Sequence, residues 1–346
     1  MTRTLDVALI GAGFIARTHL PAWIGLGARV RIFSTDGHAA GLAEEFGVME
    51  AASLHAALDG ATVVDICTPT TTHRDIALAA FEAQADVLCE KPLALTATDA
   101  LEMAEAAHHA RRRLYPGHVV RFFPAYVHLH KAVTSGELGR VAVARFTRTG
   151  RYPTWSPWFA DPALSGGIVT DQMLHDMDIA RWLFGDVVTV HATQRGHLTA
   201  PAAERAVATG SATLTHASGV ISQVLGVWGP PATAFRYTFH VAGSHGTLSH
   251  DSLAHPSLRM TAGTGAEGDG VPTGGFGEDP FATQIREFAA AYQGGPAPRV
   301  SALDGVAAVR LAAAARQSAA TGLAVALDDA AFDDAHPHTP MEKNRR

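Results

Sequence analysis

"LDVALIGAGFIARTHLPAW", residues 5–23, decides the fold. Residues 5–10 form an apolar run of strand length, and Gly11, Gly13 and Ala16 come next in the spacing G-x-G-x-x-A, where a helix begins. Gly11 permits the tight turn, Gly13 lets a pyrophosphate approach the backbone, and Ala16 keeps the helix close to the sheet. A helix N-terminus at this point directs free N–H groups at phosphate. Gly11, Gly13, Phe14 and Ile15 are therefore candidate dinucleotide contacts. Glycine turns also join strands to helices in proteins that bind nothing, so the reading rests on the next hundred residues.

Those residues alternate between two patterns. "ARVRIF" reads as a second strand, "HAAGLAEEFG" as a helix ended by Gly47, "ATVVDICTP" as a third strand, "HRDIALAAFEAQ" as a further helix and "ADVLCEKPLA" as another strand. Strands alternating with helices over roughly 120 residues make a doubly wound parallel sheet, the Rossmann arrangement. Ligands of such sheets bind beyond the carboxyl ends of the strands. Thr68, Pro69, His73, Glu90 and Lys91 all lie just past strand ends and should line the cofactor crevice. The second strand ends in "IFSTDG". If Ser34 or Thr35 holds the ribose position, their hydroxyls tolerate a 2′-phosphate and the cofactor is NADP. If the turn shifts and Asp36 supplies a carboxylate, the cofactor is NAD. The reading leans to NADP.

Bulk properties narrow the class. The chain has 346 residues, 47% of them hydrophobic, enough for two domains. Its 27 Lys+Arg against 33 Asp+Glu give a net charge of −6 with no basic stretch, which argues against a nucleic-acid partner. Two cysteines, Cys67 and Cys89, fit reduced buried thiols. Asp6 interrupts the first apolar run and no segment reaches about 18 apolar residues, so no signal peptide, membrane span or membrane partner is expected. The expectation is a soluble cytoplasmic protein.

"EKP" at residues 90–92, the fingerprint with His19 six residues past Gly13, "TPTTTH", "GGIVTDQMLHDMD" and the closing segments "DPFATQIREFAAAYQGG" and "VSALDGVAAVRLAAAARQSAATG" together resemble the glucose-fructose oxidoreductase, inositol dehydrogenase and rhizopine catabolism family. The resemblance covers nearly the whole chain. It implies a Rossmann domain succeeded by an α+β domain with a large open, mainly antiparallel sheet, and a homo-oligomer, dimer or tetramer. Independently, strand-like runs replace the alternation after about residue 120, and their near-regular spacing reads as a meander. The expected domains are 1–120, a dinucleotide-binding unit, and 121–330, a unit for substrate and oligomerisation, with a helix at about 302–321 packing back toward the junction. A flexible tail is expected over 331–346.

"SGGIVTDQMLHDMDIARWLFG", residues 165–185, puts Asp171, His175 and Asp178 at i, i+4 and i+7 on one helical face. Oxidising a secondary alcohol requires a base within reach of the hydroxyl, and His175 suits that role. The resemblance assigns catalysis to Lys91, Asp171 and His175. Lys91 would hold the reacting oxygen, and Asp171 would orient the imidazole, although it could also simply cap the helix. For Asp178 a structural hydrogen bond is expected. Met173 stands where the family commonly has a small residue and would reshape the pocket floor. Tyr152, Trp155, Trp158 and Phe159 offer aromatic faces to a sugar ring, or ordinary loop packing. Arg121 could contact substrate or form a structural ion pair. The histidines, His108, His109, His128 and His130 among them, show no metal-binding spacing, and no metal is expected. The leading expectation is an NAD(P)-dependent dehydrogenase or reductase for a sugar, polyol or cyclitol. The alternatives are a nucleotide-sensing regulatory protein without turnover and an enzyme for a non-sugar substrate such as an aromatic diol.

Overall fold

The computed structural model describes residues 4–154, 157–196, 207–254, 258–262 and 278–327. Trp155 and the expected tail 331–346 lie outside the described residues. The first half runs β1 (Asp6–Ile10), α1 (Phe14–Gly25), β2 (Arg29–Phe33), α2 (Ala39–Phe46), β3 (Met49–Glu50), α3 (Leu54–Leu58), β4 (Val63–Ile66), α4 (His73–Glu82), β5 (Asp86–Cys89), α5 (Ala97–His109) and β6 (Leu114–Pro116). Its six strands pair in parallel in the order β3-β2-β1-β4-β5-β6. The order reverses beside β1, and this switch point is where such sheets hold ligands. The apolar run is buried on both faces, as a parallel sheet requires. Val7 and Leu9 enter one core and Ala8 and Ile10 the other.

The second half continues with α6 (Pro124–Thr134), β7 (Val141–Arg151), two single turns α7 (Pro157–Ala160) and α8 (Pro162–Ser165), and α9 (Leu174–Phe184). Then come β8 (Val187–Arg195), β9 (Ala208–His216), β10 (Ile221–Gly229), β11 (Arg236–Gly243), β12 (Gly246–Asp251), β13 (Leu258–Ala262), α10 (Pro280–Tyr292), α11 (Ala302–Thr321) and β14 (Val325–Ala326). Eight strands form one sheet in the order β13-β12-β11-β7-β10-β9-β8-β14. The sheet departs from the expected meander at one place. β7 lies between β11 and β10 and pairs in parallel with β10, while every other pair is antiparallel. The chain leaves β7 through the segment that covers the sheet, so the β8-β9-β10 meander returns to one edge of β7 and β11 takes the other.

Two C-terminal helices join the halves. α10 gives Ile285, Phe288 and Ala289 to one face of the first sheet. α11 opens with a capping box in which the Ser301 and Asp304 side chains satisfy each other's backbone N–H. It buries Val306, Val309 and Ala312 in the first half and Leu311, Ala314 and Ala315 in the second. No helix among the described residues is long and apolar enough to cross a membrane.

Candidate active site

The glycine turn sits between β1 and α1 at the carboxyl edge of the first sheet. Gly11 has φ +111°, and a Cβ there would lie 2.6 Å from the Cys67 carbonyl oxygen, so both conformation and space exclude a side chain. At Gly13, just before α1, a Cβ would meet nothing within 4 Å. That open space at a helix N-terminus fits a pyrophosphate. Phe14 is exposed and Ile15 half-buried beside it. Thr68 and Pro69 are half-buried beyond β4, where the Thr72 hydroxyl donates to Thr68 Oγ1 at 2.8 Å.

Beyond β2, Ser34 donates to Asp36 Oδ1 at 2.6 Å, the His38 backbone N–H donates to the same oxygen at 3.0 Å, and Thr35 is exposed. The Ser34 hydrogen bond is the main cause that holds the Asp36 carboxyl below its usual pKa. A carboxylate thus stands against the hydroxyl that ends the strand.

Two crevice expectations are corrected. His73 is buried, with Nδ1 at 2.9 Å from the Pro92 carbonyl and Nε2 at 2.9 Å from the Thr68 carbonyl, so it ties two loops together and offers no free nitrogen to a cofactor. Glu90 also turns inward. Its Oε2 accepts the Lys91 backbone N–H at 3.2 Å, and Oε1 lies 3.5 Å from His19 Nε2, packed where Gly117 lacks a Cβ. Burial raises the Glu90 pKa.

His19, fully buried, faces Asp65 through Nδ1 at 2.9 Å, and Trp23 Nε1 donates to the same carboxylate at 2.7 Å. Burial opposes a charge on His19, but Asp65 and Glu90 outweigh it and raise the pKa. This cluster under the crevice was missed as a group. Only the position of His19 in "GAGFIARTH" hinted at it.

Lys91 emerges past β5 and crosses to the second half. Its Nζ donates to Asp171 Oδ1 at 3.0 Å and to the Asp171 carbonyl at 3.1 Å. Asp171 therefore holds the ammonium and not the imidazole, and no hydrogen bond joins it to His175 among the described residues. Residues Val169–Met173 form a π-turn before α9, and the Asp171 carboxylate within it is taken by an ammonium 80 positions earlier in the chain. His175 faces the same cavity as Asp171, and burial, then the Lys91 charge, then the Arg148 charge hold its pKa well below the usual 6.5. A neutral imidazole able to accept a proton thus borders the space, together with the carboxylate that fixes the Lys91 ammonium.

That space has a volume of about 370 Å³ and is walled by Phe159, Trp228 and Phe235, with Gln172, Thr233, Arg148, Gly150 and Arg151 completing it. Phe159 was named from sequence. Trp228 and Phe235 were not, although an aromatic residue at a strand end before "GPP" was a usable signal.

Other expectations move behind the wall. Tyr152 is 4% exposed and packs edge-on against Trp228 at 5.5 Å, because its backbone pairs with Gly229. Trp158 lies 5.1 Å from Phe159, one ring behind the cavity. Met173 is fully buried against the sheet and does not form the pocket floor. Arg121 is 1% exposed and bidentate to Asp178 at 2.8 and 2.6 Å, a structural pair that leaves nothing for substrate. Burial works against the Asp178 charge, but Arg121 and His118 outweigh it and hold the carboxyl below its usual range. Asp178 thus has a structural role.

Known proteins match along the chain. Residues 5–118 match the model of an oxidoreductase family with an NAD-binding Rossmann fold, and residues 126–249 match the GFO/IDH/MocA C-terminal domain. The chain is 30% identical to inositol 2-dehydrogenase 2 of Saccharopolyspora erythraea, over 92% of this chain and 94% of that protein. It is 32% identical to 1,5-anhydro-D-fructose reductase of Ensifer adhaerens, over 92% and 98%. The solved structure of GenD2 from gentamicin A biosynthesis, in complex with NAD, superposes with a TM-score of 0.80 at 28% identity, covering 95% of this chain and 97% of that one.

Proposed function

The chain belongs to the GFO/IDH/MocA oxidoreductase family, an NAD-binding dehydrogenase, and on that premise we propose that it interconverts a secondary alcohol and a ketone on a sugar, polyol or inositol-like cyclitol. The observation that carries this reading is the Lys91 ammonium held at 3.0 Å by Asp171, a carboxylate that lines one cavity with the proton-accepting imidazole of His175. The relatives' names point to sugars and cyclitols, and the aromatic wall of Phe159, Trp228 and Phe235 suits the C–H faces of a ring.

In this mechanism His175 accepts the hydroxyl proton of the alcohol, or returns it to the ketone in the reverse direction. Lys91 donates to the reacting oxygen and stabilises the charge that develops there. Asp171 keeps the Lys91 side chain extended across the domain junction. Bound nicotinamide supplies the hydride acceptor or donor. Gly11, Gly13, Phe14, Ile15, Thr68 and Pro69 are assigned to the pyrophosphate and its flanks, and Ser34, Thr35 and Asp36 to the adenosine ribose.

At that ribose the charge argument favours NAD. The Asp36 carboxylate against Ser34 repels a 2′-phosphate and accepts from a 2′-hydroxyl. The NADP leaning from the hydroxyls alone is given up for this reason. An assembly through the open face of the eight-stranded sheet, which exposes Val188, Ile221 and Leu225, belongs to the same reading. Incubation with NAD+ or NADP+ and a panel of cyclitols and aldoses tests the function. Growth of absorbance near ~340 nm with at least one polyol is expected, faster with NAD+. Absence of cofactor binding by calorimetry overturns it.

A further inference from the structure

The π-turn that carries Asp171 is keyed into the second sheet by one transverse row of residues. Gly210 of β9 and Gly226 of β10 are direct register partners, and Arg148 of β7 is the partner of Gly226 on its other side. Each member of the row receives part of the turn or of the helix after it. A Cβ at Gly226 would fall 2.6 Å from Met173 Cγ and 3.3 Å from Ile168 Cγ1, and a Cβ at Gly210 would fall 2.6 Å from Met173 Sδ. Carbon atoms pack optimally at about 3.5–4.0 Å, so Met173 fills the space that two side chains would need. The Arg148 carbonyl accepts from Gln172 Nε2 at 2.8 Å, and its guanidinium donates to Asp176 at 2.8 and 3.1 Å.

Neither glycine has a positive φ, so space and not backbone conformation calls for glycine at both positions. Residues 172, 173 and 176 are thus anchored to the row. Asp171 and His175, their sequence neighbours, face the cavity, which Gln172 also lines. A π-turn is uncommon and needs tertiary support, and the seated methionine supplies it. We propose that Met173, lodged on the opposed glycines Gly210 and Gly226, is the positioning element that holds the π-turn and so sets the placement of Asp171 and His175 against Lys91. The inference rests on the catalytic roles proposed for those three residues.

The test compares Gly226→Ala, Met173→Ala and the double variant with the wild type. It measures turnover, cofactor affinity, far-UV circular dichroism and the titration of the His175 ring by NMR, assigned from His175→Gln. The first sheet is untouched, so Gly226→Ala is expected to bind cofactor as the wild type does. Its turnover should fall by about 10–100-fold, as for a misplacement on the order of 1 Å, and the His175 titration should move up toward the usual 6.5. The double variant should recover most of both, because the added methyl enters the space vacated by Met173. Met173→Ala alone leaves a cavity and should lower Tm.

Two results overturn the proposal: Gly226→Ala with wild-type turnover and His175 titration, or a double variant as impaired as Gly226→Ala. If Gly226→Ala does not fold, Gly210→Ala replaces it in every arm, since its closest approach is to the outer sulfur of Met173. The NMR arm needs no turnover. A wild type inactive on every polyol would sink the catalytic reading, while a His175 shift restored in the double variant would still support the positioning role.

Discussion

Replacing Lys91 by Met keeps the apolar stem and removes the charge, and its consequences separate stability from chemistry. Unit charges 3.0 Å apart attract by about 5 kcal/mol at an effective dielectric of about 20. Desolvation of both groups offsets much of that. Removing one partner of a fully buried pair costs about 3–5 kcal/mol, because the other charge is left uncompensated. Here the side chains are 16% and 11% exposed, so water reaches Asp171 and a loss of about 2–3 kcal/mol is expected. Turnover should fall further, by about 10²–10³, the usual effect of deleting a donor to a developing oxyanion. The double variant Lys91→Met with Asp171→Asn removes the stranded carboxylate. Its stability should recover toward wild type while its turnover stays low. Chemical denaturation and initial rates with saturating cofactor read the two effects. Undiminished turnover in Lys91→Met, or turnover regained in the double variant, would refute the role given to Lys91.

Because His175 is held below the usual 6.5, kcat/KM should stay level through neutral pH and fall only as pH drops through that lowered pKa; a limb centred above 6.5 would contradict the burial argument. The depressed pKa values of His175 and His73 also contribute stability that is complete above about 6.5 and progressively lost below it, since the unfolded chain takes up protons that these native sites refuse, whereas the raised pKa of His19 acts in the opposite sense; the difference in denaturation midpoint between wild type and His175→Gln from pH 8 to 5 isolates the His175 part. Gly11→Ala should cost about 2 kcal/mol or more, from φ +111° and the clash with Cys67, whereas Gly13→Ala should leave the melting temperature in place and weaken NAD binding in calorimetry. Arg121→Ala should cost up to about 3–5 kcal/mol by leaving Asp178 buried with only His118 against it, with KM for the polyol near wild type; a raised KM at unchanged stability would return Arg121 to the substrate site.

The sequence revealed most where the signal is local. Residues 5–16 carry strand, turn and helix start within one fingerprint, and the turn demands glycine at Gly11 for reasons a sequence can show. "EKP" stood out only through its resemblance to a family, and His175 through the base that alcohol oxidation needs. What could not be read was set by contacts distant along the chain. The partner of Asp171 is Lys91 and not His175, and Lys91 lies 80 positions earlier, on a strand end that meets α9 only when the two halves pack together. Arg121 could not be assigned from its surroundings, since Asp178 reaches it only once α9 has folded. Trp228 and Phe235 line the cavity only because β10 and β11 flank β7, an arrangement that even spacing of strands does not encode.

The placement of Lys91 relative to His175 is set by the joint between the two halves. Lys91 extends from the first sheet, whereas His175 and Asp171 lie over the second. α11 presents one apolar stripe to each core, so a shift of either core along that helix moves the ammonium against the imidazole. Arg121 fixes the same joint. It binds Asp178 of α9, donates to the Arg299 carbonyl at 2.8 Å and approaches Asp304 of α11 at 3.3 Å. These buried charges are poor contributors to net stability, since apolar residues of equal volume often do as well. Their directional bonds do what apolar packing does not, because each oxygen and nitrogen admits one register of the helices. Substitutions at the joint should therefore lower kcat through geometry, and those at the glycine turn should lower cofactor affinity alone.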